Sequence, residues 1–323
     1  MKNIIIIGAG QLGSRHLQAL KSVEVPLNIF VVDPNEASLQ ISKERYDSIK
    51  TPNEHKISYL TNFSEIPDNV EIVINATNSD TRKDTIELLL NKSNIKYLIL
   101  EKILFNKKED YFYVNDLLNK SNVKCWVNFS MRAMDFYYNL KKEITTKQIV
   151  YQVTGSQFGL VTNVIHYLDH LVFLSDCPDF KINTTLIDKN IIESKRAGFK
   201  ELNGIISANF KNGSTLTVCC YPHGNLPVVV EITSPEIRTI YRETEGKVFV
   251  SKQKNDWIWE EINSPIQYQS QRTTTMVKDL LNNGECVLTP YSEAIPTHIQ
   301  LLDSLVDFIN TISSQKYNYY PFT

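Results

Sequence analysis

The chain has 323 residues, 42% of them hydrophobic, with a formal net charge of −2. Its length passes the roughly 250–300 residues at which a single core stops growing, so two domains are expected. The near-neutral charge, with no long basic block, argues against nucleic acid or an anionic membrane as main partner. No stretch of 18 or more apolar residues is present to span a bilayer, and the opening apolar run ends at Gly8, too short for a signal-peptide core. The five cysteines (Cys125, Cys177, Cys219, Cys220, Cys286) are odd in number, scattered and without CxxC spacing. A disulfide framework or zinc site is not expected, and a reducing cytoplasm is.

Residues 3–7, Asn followed by four isoleucines, read as a strand buried on both faces, as in a parallel sheet. Gly8-Ala9-Gly10-Gln11-Leu12-Gly13 follows, then helical spacing over 14–23 and a second strand over 27–32 that ends at Asp33. This is the order of a dinucleotide-binding unit. Gly8 permits the tight turn, Gly10 lets the backbone approach a pyrophosphate, and Gly13 lets helix and strand pack closely. The N–H groups of the turn, with those of Gln11 and Leu12 at the helix start, offer the positive end of a dipole to the phosphates. Asp33 can accept hydrogen bonds from a ribose diol and repel a 2′-phosphate. No Arg or Lys follows it until Lys43, so NAD is favoured over NADP.

A helix is predicted around 35–48, a short strand near 57–60 and a buried strand over 70–76. Asn75-Ala76-Thr77 lies at the end of that strand, where a doubly wound sheet presents its ligand crevice, and is assigned to the nicotinamide side. A helix (80–92), a strand (96–100) ending in Glu101-Lys102, a helix (107–120) and a strand (123–128) complete a Rossmann domain assigned to residues 1–126. Beyond it, helices over 134–144 and 162–175 flank a strand over 148–158. Strands then follow over 181–188, 203–211, 214–221, 226–234, 237–242 and 246–251. Residues 127–323 are therefore read as an α+β domain with a large, mostly antiparallel sheet. A C-terminal helix over 291–313 is read as able to pack back on the first domain. One face of the sheet would suit a homodimer or homotetramer interface.

In order and spacing, the glycine turn, Glu101-Lys102, Asn128 and Arg132, His166 with Asp169, and His298 resemble the Gfo/Idh/MocA family of sugar and polyol oxidoreductases. The resemblance covers nearly the whole chain, and the ending Pro321-Phe322-Thr323 is similar to that of members from surface-sugar gene clusters. It implies that Lys102 points into the cleft between nicotinamide and substrate, where it can stabilise developing alkoxide charge. It implies that His166 takes the hydroxyl proton as hydride leaves the same carbon. The substrate class implied is a carbohydrate, nucleotide sugar or polyol, with Arg132, Thr162 and Asn163 beside it. Two positions depart from the family: Ile103 stands where a proline usually fixes the backbone after the lysine, and Thr162 stands where an acid usually precedes the histidine. Tyr137, Tyr138 and His170 are weaker candidates for the same cleft. A non-catalytic dinucleotide-binding regulator and an imine or enone reductase are the competing readings. No metal is expected, since no third ligand joins the histidines, and no GxSxG elbow is present.

Overall fold

The computed structural model describes all residues, 1–323. They form two compact units: Met1–Asn128 with Gln267–Ser292, and Phe129–Ile266 with Glu293–Thr323.

The first unit opens with β1 (Lys2–Ile7), α1 (Gln11–Leu20), β2 (Leu27–Val32), α2 (Glu36–Asp47) and β3 (Lys56–Leu60). It continues with β4 (Asn69–Asn75), α3 (Arg82–Lys92), β5 (Asn94–Leu100), α4 (Lys108–Lys120) and β6 (Lys124–Val127). These six strands are parallel, in the order β6-β5-β4-β1-β2-β3. The chain reverses direction of winding between β1 and β4, which puts the ligand crevice at the carboxyl ends of those two strands. The isoleucine run is buried throughout, Ile4, Ile5 and Ile6 at 0% exposure, because both faces of the sheet are covered. Leu17 and Leu20 of α1 join Ile4, Ile29 and Ile72 in one core. By volume alone Leu17→Ala would cost about 2–5 kcal/mol.

The second unit contains α5 (Asp135–Glu143), β7 (Val150–Ser156), α6 (Leu160–Ser175), β8 (Phe180–Asn183), β9 (Ile192–Glu193) and β10 (Lys200–Glu201). Then come β11 (Gly204–Phe210), β12 (Thr215–Tyr221), β13 (Val229–Thr233), β14 (Ile237–Arg242), β15 (Lys247–Lys252) and β16 (Trp259–Asn263). Eight of these strands make one sheet, β16-β15-β14-β13-β7-β12-β11-β8, antiparallel except where β7 meets β12. Burial alternates along β7 and β13, so one face is packed and the other looks outward. Helix α6 packs on the inner face at β12.

The remaining elements are α7 (Gln269–Asn283), β17 (Thr289–Pro290) and α8 (Tyr291–Ile312). Helix α7 packs on α1, and β17 adds an antiparallel edge to β6. The expected division into 1–126 and 127–323 is thus corrected. The boundary falls after Asn128, and the segment that returns to the first unit is Gln267–Ser292, while Glu293–Thr323, with most of α8, stays in the second. The reason is burial: Val277, Leu280 and Leu288 fill the first unit's core. The strand expected over 181–188 is shorter, ending at Asn183. No helix is long and apolar enough to cross a membrane.

Candidate functional site

The glycine turn is built as its spacing predicts. Gly8 has φ +87°, a conformation that disfavours any side chain, and a Cβ there would lie 3.1 Å from the Ala76 backbone. A Cβ on Gly13 would sit 1.6 Å from the Gly8 carbonyl oxygen, whereas one on Gly10 would meet nothing within 4 Å. Gly10 therefore faces open space at the start of α1, where Gln11, Leu12 and Gly13 present the first turn. Asp33, at the end of β2, accepts the Ala9 N–H at 2.7 Å and the Asn35 N–H at 2.8 Å. Its carboxylate ties the glycine turn to the neighbouring strand end. This cradle fits a dinucleotide: an open approach over Gly10, helix N–H groups for the pyrophosphate, and an acid for the ribose. Arg45 of α2 also reaches this region, donating to Gln11 Oε1 at 2.8 Å and Ser14 Oγ at 2.6 Å. It is a basic group near the turn that adjacency in sequence does not reveal.

The turn after β4 is held by its own side chains. Asn75 Oδ1 accepts the Thr77 N–H at 3.1 Å and the Thr77 hydroxyl at 2.6 Å, and the Asn75 amide donates to Thr85 at 2.8 Å. Ala76 joins it to β1 by donating to the Ile7 carbonyl at 2.8 Å.

Glu101 and Lys102 follow β5, and both are buried, at 4% and 7% exposure. The peptide between Lys102 and Ile103 is cis. Glu101 Oε1 lies 2.9 Å from His16 Nε2 of α1 and accepts from the Asn128 amide at 2.5 Å. His16 Nδ1 lies 2.8 Å from the Thr273 hydroxyl, and Gln269 joins Asn128 at 2.9 Å and Thr273 at 2.8 Å. One buried network therefore links the helix of the glycine turn, the lysine-bearing turn, the end of β6 and the returning helix α7. Burial pushes the Glu101 carboxyl up, but the bond and charge of His16, the Asn128 amide and the Lys102 charge outweigh it and hold it down at about 2.

In the second unit, α6 carries His166, Asp169 and His170. His166 is partly exposed, with its ring edge-on to Phe129 at 5.7 Å. Phe129 also faces His298, whose Nδ1 donates to the Ala294 carbonyl at 2.8 Å. His170 is fully buried against Tyr137 and bonded to the Tyr151 hydroxyl at 2.9 Å. Burial, helped by the Arg132 charge, lowers its pKa to about 3, so it stays neutral in the core. Arg132 donates through Nε and Nη2 to both oxygens of Asp169, at 2.8 and 2.7 Å, a buried fork that joins the short helix Ser130–Ala133 to α6. Thr162 donates its hydroxyl to Glu201 Oε2 at 2.8 Å, and Asn163 donates its amide to the Phe158 and Gly159 carbonyls. The same Glu201 accepts the Val161 N–H at 2.6 Å and so caps α6 from β10. Three residues expected beside the substrate thus hold the frame around His166. Tyr137 is likewise core, whereas Tyr138 is 44% exposed.

Residues 2–129 match the model of the oxidoreductase family with an NAD-binding Rossmann fold, Gfo/Idh/MocA. The chain carries the NAD-binding domain of the Gfo/Idh/MocA oxidoreductases. Among solved structures it is similar to a UDP-N-acetylglucosamine 3-dehydrogenase from Acidithiobacillus ferrooxidans, at TM-score 0.73 and 10% identity over 96% of this chain and 99% of that one. An oxidoreductase from Agrobacterium radiobacter, in complex with NAD+, L-tartaric acid and magnesium, gives TM-score 0.69 at 14% identity over 93% and 94%. An NAD-binding oxidoreductase from Klebsiella pneumoniae gives 0.69 at 12% identity over 99% and 98%. At such identities the likeness establishes the fold. No curated protein matches the sequence.

Several residues of these networks escape the sequence reading. His16 lies three positions after Gly13, where only its burial on α1 marks it. Gln269 and Thr273 sit in a segment whose polar composition hides a helix, and Glu201 and Arg82 are ordinary charges in sequence that the fold buries. No group of three or more His, Cys, Asp and Glu side chains is arranged to hold a metal ion.

Proposed function

We propose that this protein is an NAD-linked dehydrogenase or reductase acting on a hydroxyl or carbonyl carbon of a sugar, nucleotide sugar or polyol. The observation that carries the reading is Lys102. It is a buried lysine at the carboxyl end of β5, anchored through Glu101 to the helix that begins at the glycine turn. Gly8, Gly10, Gln11, Leu12, Gly13 and Asp33 would hold the dinucleotide, with Asn75, Ala76 and Thr77 along its nicotinamide side. NAD, when bound, supplies the hydride acceptor or donor. Lys102 hydrogen-bonds the reacting oxygen and stabilises its negative charge, and His166 takes or returns the hydroxyl proton. Asp33 supports NAD over NADP, with Arg45 as the residue that would work against that preference.

A panel of sugars, nucleotide sugars and polyols, scored by the absorbance of NADH, tests the reading. Lys102→Ala is expected to lower kcat by about 10²–10³-fold, the scale of losing one charge-stabilising donor, while NAD+ still binds in calorimetry. Full turnover in that variant removes Lys102 from the chemistry. Silence of the wild type across the panel, with NAD+ bound, favours the regulator instead.

The outward face of the eight-stranded sheet is assigned to a homodimer or homotetramer contact, since Val150 and Tyr221 lie exposed on it at 45% and 50%. Light scattering that finds only monomer overturns that assignment. The five cysteines are unpaired, in accord with residence in a reducing cytoplasm.

A further inference from the structure

Arg82 opens α3, yet its side chain is 1% exposed and among the largest fully buried in the protein. Its guanidinium Nη1 donates to the carbonyl oxygens of Ile103 and Leu104, the latter at 2.7 Å, and Nη2 donates to the Thr77 carbonyl. One side chain therefore joins two turns of the first unit, the one after β5 that carries Lys102 and the one after β4 that carries Asn75-Ala76-Thr77. A planar fork of fixed donors can hold several carbonyls in one relative geometry, which a lysine ammonium on a flexible stem cannot. A helix start needs no such group, and a buried guanidinium is tolerated only where its donors are met.

The position matters because of what flanks Lys102. On its amino side, Glu101 is held by His16 and Asn128. On its carboxyl side the chain has Ile103, not the proline that would restrict the backbone. There the carbonyls one and two residues on are gripped by Arg82. Secondary bonds brace the same turn: the Asn106 N–H donates to the Ser79 carbonyl at 3.2 Å, and the Tyr111 hydroxyl donates to the Phe105 carbonyl at 3.1 Å.

We propose that Arg82 is a positioning residue for Lys102, holding the 102–104 turn in register with the Thr77 turn. The inference rests on the reading of Lys102 as the group that meets the reacting oxygen. Through Arg82, the lysine and the loop assigned to the nicotinamide side keep one mutual geometry, and loss of the fork lets them move apart.

The test compares full-length wild type with Arg82→Ala and Arg82→Lys. With a substrate from the panel, kcat is expected to fall about 10²-fold in both variants, the scale of a misplacement near 1 Å. The NAD+ Kd should change much less. A few millimolar guanidinium chloride, against equal sodium chloride, should restore part of kcat in Arg82→Ala only, because the lysine variant fills the hole. Amide exchange should quicken in peptides covering 75–79 and 102–106, and acetic anhydride should label Lys102 faster. Unchanged kcat overturns the proposal, as does a loss of kcat matched by equal losses of NAD+ affinity and melting temperature. If the wild type turns over no compound, the reading of Lys102 fails on its own. The clamp is then judged by exchange and labelling, and unchanged protection together with unchanged labelling refutes it.

Discussion

Replacing Glu101 by Gln should flatten the acid limb of the first unit's stability. The wild-type carboxyl sits at about 2 instead of 4.5, because His16, Asn128 and the Lys102 charge overcome the cost of burial. That span, at roughly 1.4 kcal/mol per tenfold, corresponds to about 3 kcal/mol favouring the ionised folded form. The sign follows from a depressed carboxylate. The contribution is complete above the unfolded value near 4.5 and is lost as pH falls from there toward 2. The wild type should therefore lose about 2 kcal/mol more than Glu101→Gln between about pH 5 and pH 3. Of the three tryptophans, Trp126 lies in the first unit, and Trp257 and Trp259 in the second. In a Trp257→Phe, Trp259→Phe background, the fluorescence of Trp126 on β6 reports urea unfolding of the first unit alone. Parallel curves for wild type and variant across that range would refute the depressed carboxyl and the ionic character of the network.

Two glycines separate folding from binding. Gly13→Ala should fail to fold the turn, since its Cβ would lie 1.6 Å from the Gly8 carbonyl oxygen. Gly10→Ala, whose Cβ meets nothing within 4 Å, should keep the melting temperature and lose NAD+ affinity in calorimetry. In the second unit, Asp169→Asn leaves the buried Arg132 guanidinium with only the exposed Glu293 carboxylate, 3.7 Å away, and should cost roughly 3–5 kcal/mol. The fluorescence of Trp257 and Trp259 reads that loss under denaturant, and a change under about 1 kcal/mol would assign the pair little structural weight.

The first unit was legible wherever pattern and chemistry are local. The isoleucine strand, the three glycines and Asp33 lie within 33 residues, and each imposes a distinct backbone requirement. Most strands of the second unit were legible for a similar reason, local apolar patterning, but the edge strand β16 and the two-residue strands β9 and β10 were not. Helix α7 was not: Thr273, Thr274 and Thr275 lower its helical signature, and its buried Met276, Val277 and Leu280 make a face only once α1 is there to cover it. The contacts of Arg132 and Thr162 depended on partners far off in sequence, whereas Asn163 bonds the carbonyls of Phe158 and Gly159, five and four positions back. Thr162 meets Glu201 across 39 positions and Arg132 meets Asp169 across 37, so sequence spacing does not reveal those bonds. Arg82 was invisible because an arginine at a helix start usually means solvent.

The returning segment Gln267–Ser292 has a consequence for how the protein is made. A nascent chain that has emerged as far as Asn128 possesses the glycine turn, Asp33 and Glu101, but not Gln269, Thr273 or the edge strand β17. The dinucleotide domain is finished only after all of Phe129–Ile266 has left the ribosome. A fragment cut at residue 128 is thus an incomplete cofactor domain, and a graft onto another scaffold must bring two separated pieces of sequence.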